Sequence, residues 1–382
     1  MFELTRSQKE IQKAARDFAK GEFDKDQAIE LEKDNRFPTE IWKAAADLGF
    51  IGIHFPESVS GGGLGLVENC LLAEEFCRKD STTGLALTLA ASGVECLVDF
   101  GSDELKEKYI PRVAEGEILS AGAFSDPGAG PDMPVTDTLA AEDGSDFILN
   151  GEKRYVLNGE SAGFFIVLVR TEPDAKPEKG LSLLLVDAAS NGIKVENLGK
   201  TLGVGMNSLA AVRFADVRVP GTNLIGKRGK GLAHYENYLN TKRITASAQA
   251  LGIALGALDR ALAYVKQREQ FGRKIAKFEV TQHKLADMAT KTELARLITY
   301  QAAAAHDGGS QDNALPAMAR VTTARTAFEV ADEAVQLFGG YGYMTEQEVE
   351  RFYRDAKALE LGGVGGFHRK QVIAKSLLGR LK

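Results

Sequence analysis

"DFILNGEKRYVLNG", residues 146–159, alternates apolar and polar side chains and carries two Asn-Gly pairs, at 150–151 and 158–159. Alternation places successive side chains on opposite faces of an extended chain, and Asn-Gly is the strongest short hairpin signal. The stretch reads as strand, in a chain whose two ends read as helix. Around it, "GFFIVLVRT" and "GLSLLLVDA" are short β-rich runs split by the polar, Pro-containing "EPDAKPEKG", and "AAVRFADVRVP" is another alternating run. These runs predict a mostly antiparallel β-domain over residues 119–225.

Helical periodicity flanks this domain. On the N-terminal side Leu4, Ile11, Ala15 and Phe18 fall on one helical face. "PTEIWKAAADLGF" opens with Pro38 and Thr39, which suit a helix start, and "SGGGLG" (60–65) is a turn with no strand before it to make a phosphate cradle. Helices are expected over about 66–79 and 82–100. On the C-terminal side Ile244, Leu251, Leu255, Leu258, Leu262 and Val265 keep helical spacing, and further helices are expected at about 281–307, 315–339 and 345–357. The expected class is α+β, with an N-terminal α-helical domain (1–118), a middle antiparallel β-domain (119–225) and a C-terminal domain of four-helix-bundle type (226–382).

The 382 residues carry 47 Lys and Arg against 53 Asp and Glu, a formal charge of −6, and no basic block stands out. Binding to nucleic acid or to an acidic membrane surface is not expected. Cys70, Cys77 and Cys96 lie in apolar helical patterns without CxxC spacing, and read as buried free thiols in a reducing compartment. The five histidines show no metal-ligand pairing, so no metal site is expected. "MFELTRSQKEIQ" has neither signal-peptide nor transit-peptide character and no apolar run is long enough to span a membrane, which together predict a cytoplasmic protein.

Several strings, in order along essentially the whole chain, resemble the acyl-CoA dehydrogenase family. They are "FPTEIWKAAADLGFIGIHFPESVSGGG", "FSDPGAGPD" (124–132), "NGEKRYVLNG", "REQFGRKI" (268–275), "QLFGGYGYMTE" (336–346) and "ERFYRDAK" (350–357). The resemblance implies a homotetrameric FAD enzyme acting on an acyl-CoA, with the flavin between the β-domain and the C-terminal bundle. For a net oxidation it implies an electron-transferring flavoprotein as partner. It marks Phe124, Ser125, Tyr155, Leu157, Arg268, Phe271, Gln336 and Gly340 for the cofactor, and Pro131, Asn240, Arg243, Gly363 and Val364 for the substrate. The residue types suit this: Arg268 and Gln336 can hold a pyrophosphate, and Gly339, Gly340 and Gly342 let backbone approach it closely.

The family reaction takes a proton from the α-carbon of a thioester while hydride leaves the β-carbon for the flavin, which requires a positioned base. In most members that base is the Glu of a Tyr-Glu-Gly-Thr run directly after Arg-Asp-Ala-Lys. Here four of the five residues from Gly362 to Gly366 are glycine, and Gly363 stands at the Glu position. A minority of the family carries its Glu immediately before the Arg equivalent to Arg243, but that residue is Lys242, expected in a salt bridge or a CoA contact. The family Trp and Thr beside the flavin are Tyr155 and Leu157, and Pro131 replaces a Ser. Glu360 reads as an ordinary structural residue. On the expected helix 82–100, Gly84, Thr88, Ala91, Ser92 and Glu95 share a face, and Glu95 is its one acid. Glu95 reads either as a surface or helix-end charge or as a relocated base acting deeper than the α-carbon.

Two glycines in place of Tyr and Glu free volume for a branched, cyclic or substituted acyl group. Dehydrogenation with a relocated base, vinylogous removal of hydrogen from an unsaturated ring, and elimination without net oxidation all remain open. So do a non-catalytic subunit of a heteromeric acyl-CoA dehydrogenase and a flavin monooxygenase.

Overall fold

A computed structural model describes residues 3–129, 136–362 and 366–379. The N-terminal segment is helical: α1 (Arg6–Glu22), α2 (Lys25–Lys33), α3 (Thr39–Asp47), α4 (Leu66–Lys79), α5 (Ser81–Thr88), α6 (Val94–Phe100) and α7 (Asp103–Ala114). Thr5 and Gln8 form a reciprocal capping box at the start of α1, and Ala15 and Phe18 are buried as their spacing predicts. The start of α4 is capped from far away in sequence, by the Asp307 carboxylate accepting from the Leu66 and Val67 N–H groups at 2.8 and 3.0 Å.

The single helix expected over 82–100 is two helices. The chain leaves α5 after Thr88, Ala91 bridges Ser120, and Gly93 adopts φ +92° before α6 begins. A left-handed residue ends a right-handed helix, so the face expected to join Gly84 to Glu95 does not exist as one surface. A Cβ at Gly93 would stand 3.2 Å from Ile166 Cγ1 and 3.3 Å from Gly122 Cα. The break thus lays the start of α6 directly on the β-domain.

The middle domain comprises β1 (Leu119–Ala123), β2 (Leu139–Asp143), β3 (Asp146–Leu157), β4 (Ala162–Arg170), the single turn α8 (Pro177–Gly180), β5 (Leu181–Asp187), β6 (Ile193–Asn197), β7 (Leu209–Pro220) and β8 (Leu224–Ile225). The sheet runs β6-β7-β3-β2-β4-β5-β8, with β1 parallel alongside β4. It is mostly antiparallel, as predicted. Neither Asn-Gly pair makes the expected two-residue hairpin. Strand β3 runs through Asn150-Gly151 as a bulge, where Gly151 has φ +145° and a Cβ would meet Thr138 Cα at 2.7 Å. Asn158-Gly159 lies in the turn from β3 to β4, which β2 separates in the sheet.

The C-terminal domain is built on α9 (Gly231–Gln267), followed by the two-stranded ribbon β9 (Glu269–Gln270) and β10 (Arg273–Lys274). Then come α10 (Glu279–Asp307), α11 (Ala314–Phe338), α12 (Val349–Leu361) and α13 (Gly366–Leu378). Ile253, Ala254 and Leu258 of α9 pack with Ala327 and Val330 of α11, while Leu251 and Leu255 pack with Leu66 and Leu71 of α4. The first and last segments therefore share their cores.

Candidate functional site

The residues marked by sequence fall into two groups at opposite ends of α9. The first surrounds the loop after β1. The Phe124 ring packs on Tyr235 and Tyr238 of α9, with centroids 4.6 and 5.3 Å apart. The Ser125 carbonyl accepts from the Arg154 N–H at 2.8 Å, joining this loop to β3 beside Tyr155 and Leu157. Beneath the loop, the fully buried Lys153 is ion-paired with Asp126, whose carboxylate also accepts from the Asp137 and Thr138 N–H groups at 2.6 and 2.8 Å. Burial pushes the Lys153 ammonium down to about 8, although Asp126 opposes the shift. Tyr155 has φ +58° and is 68% exposed, so its ring is presented outward by a strained backbone.

The second group lines a groove of about 610 Å³ at the C-terminal end of α9, bounded by Tyr264, Arg268, Gln336, Gly339, Gly340 and Tyr341. The Arg268 guanidinium lies 5.6 Å from the Tyr341 ring centroid, and among the described residues no carboxylate pairs with it. A Cβ at Gly339 or Gly340 would project into open space. A free guanidinium, a side-chain amide and two bare glycines fit the anionic pyrophosphate of FAD. Nearby, the β9–β10 turn places Phe271 and Gly272 at φ +52° and +76°, as in a type I′ hairpin, and leaves Phe271 92% exposed.

Both groups match the flavin residues marked by sequence, yet one chain does not bring them together. Tyr238 lies below Phe124 while Arg268 caps the far end of α9, a separation of roughly 45 Å at 1.5 Å per residue. That is longer than a flavin dinucleotide.

A third cluster lies one aromatic ring away from Phe124. Lys242 Nζ stands 5.7 Å from the Tyr238 ring centroid and 3.1 Å from Glu95 Oε1. His54 Nε2 is 3.8 Å from the same oxygen. Glu95 is buried rather than at the surface, but it does stand in the first turn of α6, as the helix-end reading allowed, and Lys242 makes with it the salt bridge that was one of the two roles expected of Lys242. Burial would raise the Glu95 carboxyl, but the Lys242 ammonium and the His54 imidazole outweigh it and hold the group at about 2. Glu95 Oε2 and both His54 ring nitrogens are buried without a hydrogen-bond partner among the described residues. His54 escaped the sequence reading because nothing local to it signals this contact; α3 and the turn after it carry it there.

Of the substrate residues, Arg243 Nη1 donates to Asn240 Oδ1 at 2.7 Å, and Asn240 Nδ2 donates to Asn313 Oδ1 at 2.5 Å. Pro131, Gly363 and Val364 lie outside the described residues. The approach to Gly363 is braced: Arg320 donates to the Leu359 carbonyl, and Arg369 to the Glu360 and Gly362 carbonyls at 3.4 and 3.5 Å. These cations face the carbonyl end of α12, where the helix dipole favours them. "ERFYRDAK" acts as a clamp. Arg351 pairs with Asp80 at 2.7 Å, and the buried Asp355 accepts from Ser81 Oγ, Thr82 Oγ1 and the Val204 N–H at 2.6, 2.7 and 2.6 Å. Glu360 pairs with Lys357 at 2.7 Å, in keeping with a structural residue. Cys70, Cys77 and Cys96 are free and buried, as expected. Among the described residues no group of three or more His, Cys, Asp or Glu side chains is placed to hold a metal ion, and no helix is long and apolar enough to cross a membrane.

Residues 5–117, 121–217 and 229–377 match the family models for the acyl-CoA dehydrogenase N-terminal, middle and C-terminal domains. The chain is 36% identical over 382 residues to an acryloyl-CoA reductase (NADH) of Anaerotignum propionicum, covering 99% of this chain and 96% of the relative. It is 35% identical over 380 residues to a cyclohex-1-ene-1-carbonyl-CoA dehydrogenase of Syntrophus aciditrophicus, covering 99% and 91%. A chain from a structural study of the electron transferring flavoprotein of Acidaminococcus fermentans superposes with a TM-score of 0.95, at 35% identity and full coverage of both chains.

Proposed function

The chain belongs to the acyl-CoA dehydrogenase family, a flavoenzyme oxidoreductase that uses FAD and acts on CoA thioesters, and from that premise we propose that its substrate is a branched, cyclic or substituted acyl-CoA deprotonated by Glu95. One observation carries this reading: a buried carboxylate with one oxygen lacking a hydrogen-bond partner among the described residues lies one aromatic ring from the Phe124 loop, in a chain with no carboxylate at either family position.

Bound FAD supplies the hydride acceptor. Tyr155, Leu157 and the Phe124–Ser125 loop hold the ring end, while Arg268 and Gln336 hold the pyrophosphate. Because these groups lie too far apart to share one cofactor, Arg268 and Gln336 serve the flavin of a neighbouring copy, and the enzyme is a homotetramer of such pairs. Glu95 is set back from the α-carbon and takes a proton from a carbon further along the acyl group. The charge left there is delocalised to the thioester through an intervening double bond or ring. Such a substrate also fills the volume left by two glycines. The likeness to a cyclohexene-carbonyl-CoA dehydrogenase supports a cyclic acyl group, and the likeness to the chain studied with an electron transferring flavoprotein supports that class of electron acceptor.

Anaerobic bleaching of the purified holoenzyme tests this with butyryl-, isobutyryl-, cyclohexanoyl- and cyclohex-1-ene-1-carbonyl-CoA. Fastest bleaching by a cyclic or branched thioester is expected. Fastest bleaching by butyryl-CoA would overturn the reading, and a colourless chain that takes up no FAD would favour a non-catalytic partner subunit.

A further inference from the structure

We propose that His54 is the proton outlet of this site: Glu95 receives a proton from the acyl group and hands it to His54, which releases it to solvent. The inference rests on the reading of Glu95 as base and adds the residue that resets it.

The geometry is directional. Lys242 and His54 both face Oε1 of Glu95, at 3.1 and 3.8 Å, which leaves the buried Oε2 as the oxygen without a hydrogen-bond partner among the described residues. The Glu95 side chain is 7% exposed and that of His54 15%, so the His54 ring reaches nearer the surface, with both of its nitrogens buried beneath the exposed ring edge. Its ring lies 4.7 Å from that of Phe55, and neither nitrogen is committed to a hydrogen bond among the described residues. An imidazole used only for packing would not need to stand beside a carboxylate, and one used as a structural donor would be bonded.

Charge explains why an outlet is needed. Lys242 keeps Glu95 ionised and ready to accept, but the same ammonium makes a protonated Glu95 a poor place for the proton to stay. An imidazole takes up protons in the physiological range, where a stabilised carboxylate does not. The other groups facing this pair are Asp99, one turn along α6 and bonded to Asn237 Nδ2 at 2.8 Å, Cys96, and Tyr238 from α9. Burial raises Cys96 and Tyr238, so neither competes for the proton as an anion.

In the first step the C–H bond breaks, its electron pair stays on the acyl carbon, and the proton goes to Glu95 Oε2. FAD, when bound, would be the oxidant and would supply the acceptor for the hydride equivalent lost from the adjoining carbon. Turning of the carboxyl, or one bridging water, then carries the proton across the 3.8 Å gap to His54. Solvent takes it from the imidazolium.

The test uses anaerobic holoenzyme and the thioester that bleaches the flavin fastest in the panel above. His54→Asn is expected to slow bleaching by about 100-fold, at the low end of general acid–base contributions. Added imidazole should restore part of the rate, which a merely structural role for His54 would not allow. His54→Gln, with the FAD spectrum as a check on folding, should behave alike. A wild-type rate in both variants would overturn the relay. If Glu95→Gln bleaches like wild type, the Glu95 reading fails and the relay with it; if Glu95→Gln fails while both His54 variants are normal, only the relay falls.

Discussion

Two variants that each fail to retain FAD should recover it when they are mixed. Arg268→Glu removes a charge-assisted hydrogen bond worth about 1.5–3 kcal/mol and sets an anion against the pyrophosphate, so FAD affinity should fall by roughly 100-fold or more. Leu157→Glu places a carboxylate in the ring half of the site. Along α9 the two positions belong to ends separated by roughly 45 Å, so on the proposed two-chain site each flavin would draw its two halves from different chains. In a mixed pair one site then carries both defects and the other carries neither. With equal amounts and random pairing half the pairs are mixed, so about a quarter of all sites should bind FAD. The variants are unfolded and refolded together, or co-expressed, and FAD per chain is read from the flavin absorbance with oligomer size checked by light scattering. No recovery of FAD in mixed oligomers would refute the two-chain site, because a single-chain site leaves every copy defective.

Lys242→Met leaves Glu95 buried and unpaired, and should lower unfolding stability by about 3–5 kcal/mol, measured by denaturant titration. The sign with pH is set by the depressed Glu95 carboxyl: its contribution is complete above the unfolded value and is lost as pH falls towards about 2, so the variant and wild type should converge in acid. Burial raises Asp355 to about 6, so its contribution to stability is full below the unfolded value and is lost as pH rises through about 6. Asp355→Asn should therefore flatten the melting temperature across pH 4–6. Gly93→Ala adds a Cβ at 3.2–3.3 Å from Ile166 and Gly122 and strains a φ of +92°, and should cost about 1–3 kcal/mol together with a shifted flavin spectrum.

The layered α–β–α architecture was legible because period-2 and helical patterns alternate cleanly along the chain. The pairing of Arg268 with Gln336 was legible from motif strings, and the structure seats both in one groove. Two local readings failed for identifiable reasons. Asn150-Gly151 carries a turn signal, but β7 pairs with β3 on both sides of it, so the tertiary ladder turns the signal into a bulge. The break between α5 and α6 begins in Leu89-Ala90-Ala91, which suit a helix, and is made by the bridge from Ala91 to Ser120 together with the left-handed Gly93, a single glycine too weak a signal by itself. The polar cluster was half visible. Glu95 and Lys242 each stood out against the family pattern, but their 3.1 Å contact joins residues far apart in sequence, and His54 gave no sign at all.

The central claim is that Glu95 took over the proton transfer that Gly363 cannot perform. Glu95→Gln keeps the volume and removes the base, so its single-turnover rate of anaerobic flavin bleaching is the most direct measurement. With the thioester that bleaches the wild type fastest, the rate should fall by about 100-fold or more while the FAD spectrum and thioester binding persist. An unchanged bleaching rate would contradict the account.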